Sequence, residues 1–145
     1  MIEIIRSEFY SHWAVYIGNG YIVHFVTEAV NSGFSTVPSE NGSVRKELLT
    51  DVLNDCNWRV NNYLDKKYTP RPRDTIVKKA CSLVGSSLTY SLTDYNCEHF
   101  ATEQRYDIAV SMQVEKAKVG VAAGGTAVLT GFIAAASVMN KTISH

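Results

Sequence analysis

Two short apolar runs, His12 to Ile17 and Tyr21 to Val26, flank Gly18-Asn19-Gly20, and their spacing constrains what this chain can fold into more than any other feature. Both runs are rich in β-branched and aromatic residues, and the triplet between them is a strong turn signal, so the segment reads as an antiparallel hairpin. Register then decides which side chains share a face. With a three-residue loop, Ile17 pairs with Tyr21 and Ala14 with His24, which gathers His12, Ala14, Tyr16, Ile22, His24 and Val26 on one face. Trp13, Val15, Ile17, Tyr21, Val23 and Phe25 line the other, uniformly large and apolar, as a core face is. The two histidines become diagonal neighbours, at a spacing of roughly 7–8 Å. A two-residue Asn19-Gly20 turn would instead pair Val15 with His24 and send the histidines to opposite faces. The first register is the expectation.

Far downstream stands Asn96-Cys97-Glu98-His99, followed by Phe100. The run from Asp94 to Arg105 reads as the start of a helix, with Asp94 or Asn96 as N-cap and Glu98 in the first turn. Cys97 then falls in that turn, where unpaired N–H groups and the positive helix end favour a thiolate and could receive an oxyanion. A thiol reacts as its thiolate and needs a base beside it. His99 is a poor partner, because residues two apart on a helix point in different directions. His12 and His24 are the candidates. Alone, a helical Cys is usually a small buried hydrophobe and a strand His a satisfied structural residue; together, and with no charged residue between the two histidines in the hairpin, they point to Cys/His catalysis.

The stretch from His12 to Gly18, then Gly20 to His24, and later Asn96 to Phe100 with Glu103, Arg105 and Tyr106, resembles the phospholipase A/acyltransferase family, also called HRAS-like suppressors. These are relatives of lecithin retinol acyltransferase, with a rearranged papain-like fold akin to NlpC-type peptidases. The likeness runs from Ile2 to about Val114 and continues in kind through the hydrophobic tail.

The resemblance implies that Cys97 is the nucleophile attacking a glycerophospholipid ester, His12 the general base and acid, and His24 the residue that orients His12, the logic of a triad with histidine in third place. The acyl chain would be held as a thioester and passed on. Water as acceptor gives phospholipase A1 or A2 activity, the amine of phosphatidylethanolamine gives an N-acyl phospholipid, and a lysophospholipid gives O-acyl transfer. The implied partners are glycerophospholipids, phosphatidylcholine and phosphatidylethanolamine among them, with no cofactor and no metal. Members begin with a Pro-containing leader and a Gly-Asp pair before the first strand, so a chain starting Met1-Ile2-Glu3-Ile4 is expected to be a truncated or alternative product. The loop from Arg6 to Ser11 is one residue longer than is usual in the family.

With 145 residues, 46% hydrophobic and 19% charged, the chain has the composition of one globular domain with a sizeable core. Zero formal net charge gives no argument for a nucleic-acid partner. Between Arg59 and Lys79, seven basic residues stand against Asp65 and Asp74, a patch that could lie on anionic lipid or simply be a solvated face. Three cysteines without CxxC spacing, and no signal peptide, point to a reduced cytosolic setting. Cys81 belongs to a helix from about Arg73 to Val84 whose stripe of Ile76, Val77, Ala80, Cys81 and Val84, ended by Gly85, reads as core. Cys56 follows the helix-like Glu47 to Leu53 and has no assigned role. A zinc site from Cys97, His12 and His24 lacks the close paired spacings of structural zinc.

From Val119 to Met139 run 21 residues without a charge, flanked by Lys116, Lys118 and Lys141. About 20 residues span a bilayer core as a helix, and Gly120-x-x-x-Gly124 would allow close helix contact. The expected organisation is a catalytic domain over 1–115 and a transmembrane tail anchor over 119–139, with the enzyme on the cytosolic face. Residues 39–43, with Asn41-Gly42, and 68–73, with two prolines, read as loops. The expected class is α+β: an antiparallel sheet from the N-terminal half packed against the Cys-bearing helix, followed by the anchor. A cysteine amidase or peptidase, and a membrane adaptor that keeps the fold without turnover, are the competing functions.

Overall fold

A bulge settles the hairpin. In the computed structural model, which describes residues 1–27 and 39–124, strands β2 (Ser11–Gly18) and β3 (Tyr21–Thr27) are joined by the two-residue turn Asn19-Gly20. Both turn residues have positive φ, 54° and 83°, as the favoured two-residue hairpin turn requires. Gly18 pairs with Tyr21, yet Tyr16 faces Ile22 and Val15 faces Val23. The bulged residue between Tyr16 and Gly18 thereby restores, in the body of the hairpin, the register expected for the longer loop. Continued one step, that register sets Ala14 opposite His24.

The hairpin lies at the centre of a six-stranded antiparallel sheet ordered β5-β1-β2-β3-β4-β6. Met1-Ile2-Glu3-Ile4 does support a first strand: β1 (Ile2–Ile5) pairs with β2 on one side and with β5 (Asn57–Val60) on the other. β4 (Ser39–Leu48) and β6 (Ser87–Ser91) complete the sheet, so it draws on more of the chain than its N-terminal half. Both faces are buried. Trp13, Val15, Val23 and Phe25 pack with Cys97, Phe100 and Ala101 of helix α3 (Cys97–Tyr106), as expected of the core face, whereas Ile17 is only partly buried and Tyr21 is exposed beside the turn. The face that carries the histidines is covered as well, Ala14 and Ile22 packing with Ile2, Ile4 and Leu49 of helix α1 (Leu49–Leu53).

Residues 39–43 are strand rather than the expected loop, and Glu47 and Leu48 end that strand rather than begin a helix. Gly42 is in the strand because of space. A Cβ there would lie 2.7 Å from the Phe25 ring and 3.0 Å from Cβ of Tyr90, so only glycine lets the ring close over the backbone. Gly42→Ala should therefore cost about 1–3 kcal/mol through overpacking, read as a lowered urea midpoint with unchanged slope.

Helix α2 (Arg73–Ser82) buries Ile76 and Ala80, with Leu83 half-buried against the same core. Cys81 is exposed and Val84 is 40% exposed, which corrects the wider stripe. Each residue turns the helix by about 100°, so Cys81 rotates off the line that joins 76 to 80 and 83. The chain turns at Gly85, φ 88°, as expected. Residues 68–72 are loop, and their basic residues are partly committed: the Arg71 guanidinium donates to the carbonyls of Glu103 and Gln104 at the end of α3, and Arg59 pairs with Glu3. Lys66, Lys67, Arg73 and Lys78 are exposed.

Helix α4 (Met112–Gly124) follows. Of the expected anchor, residues 119–124 belong to this helix and 125–139 lie outside the described residues. Among the described residues no helix is long and apolar enough to cross a membrane. The class is α+β.

Candidate active site

Cys97 is the first residue of α3, and Asn96, in extended backbone at φ −120°, is the N-cap. The Asn96 Oδ1 accepts from the amides of Glu98 (2.9 Å) and His99 (3.2 Å), and His99 Nδ1 accepts in return from the Asn96 amide at 3.0 Å. This is a capping box with histidine in the place usually held by Glu or Gln. His99 thus has a structural task and no part in activating its neighbour. The first-turn amides are already engaged: the Cys97 N–H donates to the Tyr90 hydroxyl at 3.3 Å and the Phe100 N–H to the Asn96 carbonyl. The expectation of unpaired donors waiting for an oxyanion is corrected: the cap takes the Glu98 and His99 amides and Tyr90 takes that of Cys97.

The sulfur is fully buried. Its neighbours are the Tyr10 hydroxyl at 3.4 Å, the Tyr90 hydroxyl and the backbone N–H of Trp13. Burial pushes the thiol above its ordinary value, more than these donors pull it down. At neutral pH Cys97 rests as a thiol, so a thiolate has to be generated by proton transfer.

The base expected for that transfer is on the adjoining residue of β2. His12 and His24 are 1% and 2% exposed, and His12 Nε2 lies 2.7 Å from His24 Nδ1. The register delivers this pair as diagonal neighbours across β2 and β3. His24 Nε2 in turn lies 2.5 Å from Glu47 Oε2. Ile22 faces Glu47 and His24 faces Arg45 across β3 and β4, so Glu47 is the diagonal neighbour of His24. His12 Nδ1 is buried without a hydrogen-bond partner among the described residues. Burial, together with His24 and the Arg6 guanidinium, holds the His12 imidazole well below its usual range, so it is neutral at pH 7.

The structure thus joins His12 to His24, with no hydrogen bond from His12 to Cys97 among the described residues. Along β2, Trp13 points into the core that holds Cys97, and the sulfur meets the strand at the Trp13 amide. Among the described residues no cluster of His, Cys, Asp and Glu has the geometry of a metal site.

Glu98 is a third element of the site. Its carboxylate, 0% exposed, accepts from Tyr63 Oη (2.7 Å), Ser111 Oγ (2.6 Å), the amides of Met112 (3.0 Å) and Gln113 (3.2 Å), and Gln113 Nε2 (3.1 Å). The same Gln113 side chain exchanges two hydrogen bonds with the Ser11 backbone, at 2.8 and 3.1 Å. The neighbour of Cys97 is thereby tied, through one glutamine, to the neighbour of His12 and to the first turn of α4. Sequence reasoning missed Tyr10, Tyr90 and Glu47 and saw Glu98 only as a first-turn acid. Treating Glu47 as the start of a helix removed the strand register that would have found it, and no local signal marks the two tyrosines.

Comparison with known proteins follows the same lines. The family model described as Lecithin retinol acyltransferase matches residues 1–110. "Phospholipase A and acyltransferase 2" of Homo sapiens is 47% identical over 146 residues, covering 94% of this chain and 90% of the relative. "Phospholipase A and acyltransferase 4" of Homo sapiens is 43% identical over 141 residues, covering 94% and 84%. "Phospholipase A and acyltransferase 5" of Mus musculus is 36% identical over 135 residues, covering 92% of this chain and 50% of that longer protein.

Proposed function

Since this chain belongs to the lecithin retinol acyltransferase family, we propose that it is a phospholipase A and acyltransferase that moves a fatty acyl chain from a glycerophospholipid through a thioester on Cys97. The observation that carries the reading is the buried histidine pair whose His12 Nδ1 has no hydrogen-bond partner among the described residues, one residue from the Trp13 amide that meets the sulfur. In the proposed cycle the Cys97 thiol gives its proton to His12 Nδ1 as sulfur bonds to the ester carbonyl carbon. The C–O bond then breaks, and His12 returns the proton to the departing lysophospholipid oxygen. Water, the amine of phosphatidylethanolamine or a lysophospholipid hydroxyl next attacks the thioester and regenerates the thiol. The Cys97 amide and the Tyr90 hydroxyl are the donors a tetrahedral oxyanion would take over.

Sulfur burial requires that Tyr10, Tyr90 or their surroundings shift when lipid enters. The uncharged run 119–139 supports a tail anchor that keeps the domain at its lipid, on the cytosolic face of a membrane. A second reading, a membrane adaptor without turnover, is favoured by one observation: the sulfur is closed in and makes no hydrogen bond to His12.

The test is to incubate the full chain in phosphatidylcholine vesicles carrying a radiolabelled acyl chain, with and without phosphatidylethanolamine. Lipid products and protein-bound label are then separated. The expected result is free fatty acid, diversion of label into N-acyl product when the amine is present, and protein-bound label released by hydroxylamine. A folded protein that yields neither product nor bound label would overturn the enzyme reading in favour of the adaptor.

A further inference from the structure

Histidines hydrogen-bonded to each other have an ambiguity that a serine- or cysteine-based site must resolve. Each neutral ring has one N–H and one lone pair, so a pair can be arranged in either sense, and only one sense leaves a lone pair at the end that faces the reaction. Here the outer end of the pair resolves it. Glu47 lies against His24 Nε2 at 2.5 Å, and the same hydrogen bond holds the Glu47 carboxyl below its ordinary range, so Glu47 is an acceptor. His24 Nε2 therefore carries the hydrogen and His24 Nδ1 is the lone pair. Across the 2.7 Å contact, His12 Nε2 must then donate, which leaves His12 Nδ1 as the lone pair. That atom is the buried nitrogen with no hydrogen-bond partner among the described residues.

We propose that Glu47 is a positioning residue for the His12 base: through His24 it fixes the tautomers of both rings so that His12 presents an unprotonated Nδ1, and it supplies the negative charge that steadies the pair when His12 takes up a proton. The inference deepens the thioester reaction proposed above and rests on it for its catalytic meaning, although the hydrogen-bond chain itself does not depend on any substrate. Among the described residues, the other charged groups that face the pair are cations. Arg45 stands opposite His24 and donates to Ser43, and Arg6, anchored on the carbonyls of Val52 and Leu53 and on Cys56 Sγ, acts on His12. Arg6 opposes protonation of His12, so the opposing charge falls to Glu47. Sequence position would not suggest this, since Glu47 is 23 residues from His24 and in another strand.

Two readouts test it. In the first, nitrogen-15 spectra of histidine-labelled protein assign the tautomers in the full chain and in Glu47→Ala. The wild type should show His12 with Nε2–H and His24 with Nε2–H, and the variant should populate Nδ1–H on both rings. In the second, the pH profile of kcat/KM for lipid turnover is compared. Removing the carboxylate withdraws a favourable charge from the imidazolium, so the acidic limb should move to lower pH by about half a unit or more. The turnover number should fall about 10- to 100-fold, less than the effect known for a fully buried triad carboxylate because Glu47 is half exposed. KM should stay within about twofold. Glu47→Asp should return the limb toward the wild type, which a merely structural defect would not allow. Unchanged tautomers, or an unmoved acidic limb with turnover within about twofold of wild type, would overturn the proposal. Should the protein turn over no lipid at all, the function fails on that ground while the spectra still decide the tautomer question.

Discussion

Cys97→Ala is expected to abolish acyl release and acyl transfer together, a fall of about 10^4-fold or more, while the protein stays folded. The size follows from the proposed chemistry, in which hydrolysis and transfer share one covalent intermediate and no acceptor escapes the loss of the sulfur. Stability should hardly change. Cys97 is small, its cap is supplied by Asn96 and His99, and its side chain offers weak hydrogen bonds to Tyr10 and Tyr90. A loss of about 1 kcal/mol is all that deleting one buried small group predicts. Cys97→Ser should be nearly as inactive, because a buried hydroxyl is far harder to ionise than a thiol already pushed up by burial. The check is product separation beside a thermal melt. Residual transfer to amine above a few per cent would show a route that does not pass through sulfur.

Glu98→Ala is expected to be the most destabilising single change in the described region, at about 3–5 kcal/mol, the range seen when one partner of a buried ionic or polar network is removed. Alanine leaves the donors of Tyr63, Ser111, Met112 and Gln113 without their acceptor, and each orphaned buried donor costs about 1–3 kcal/mol. Glu98→Gln should lie between, since the amide retains one acceptor and aims a donor at a neighbourhood of donors. Urea unfolding measures both. Because Gln113 also grips the Ser11 backbone, activity should fall in Glu98→Gln even at temperatures where the variant is folded. A loss below about 1 kcal/mol for alanine would mean water replaces the carboxylate, and the proposed tie between α3, β2 and α4 would be wrong.

Much of this was legible in the chain because short-range periodicity carried it. The hairpin declared its two faces, and Asn96 announced the start of α3. What escaped depended on long-range geometry. Gly42 looks like a turn until Phe25, 17 positions earlier, is found lying on it. Glu47 looks like a helix start, because Leu48, Leu49, Val52 and Leu53 have helical spacing, although the last strand residues belong to the sheet. The burial of the histidine face was hidden for a similar reason: its cover, Ile2, Ile4 and Leu49, comes from two separate segments. The tyrosines around Cys97 arrive from a loop and from an edge strand, and nothing in a linear sequence brings Tyr10 and Tyr90 to one sulfur.

The position of β2 and β3 has one more consequence. Each is paired on both sides, and from His12 to Val15 and Ile22 to Val26 each is buried above and below, so these amides have no route to solvent short of opening the sheet as a whole. Deuterium should enter these strands last, at the rate of global unfolding, and the exposed outer strand β5 first. The two histidines therefore ride on the slowest-exchanging part of the chain. In the proposed reaction, whatever adjusts when a lipid comes in has to be on the Cys97 side, among the residues that close over the sulfur.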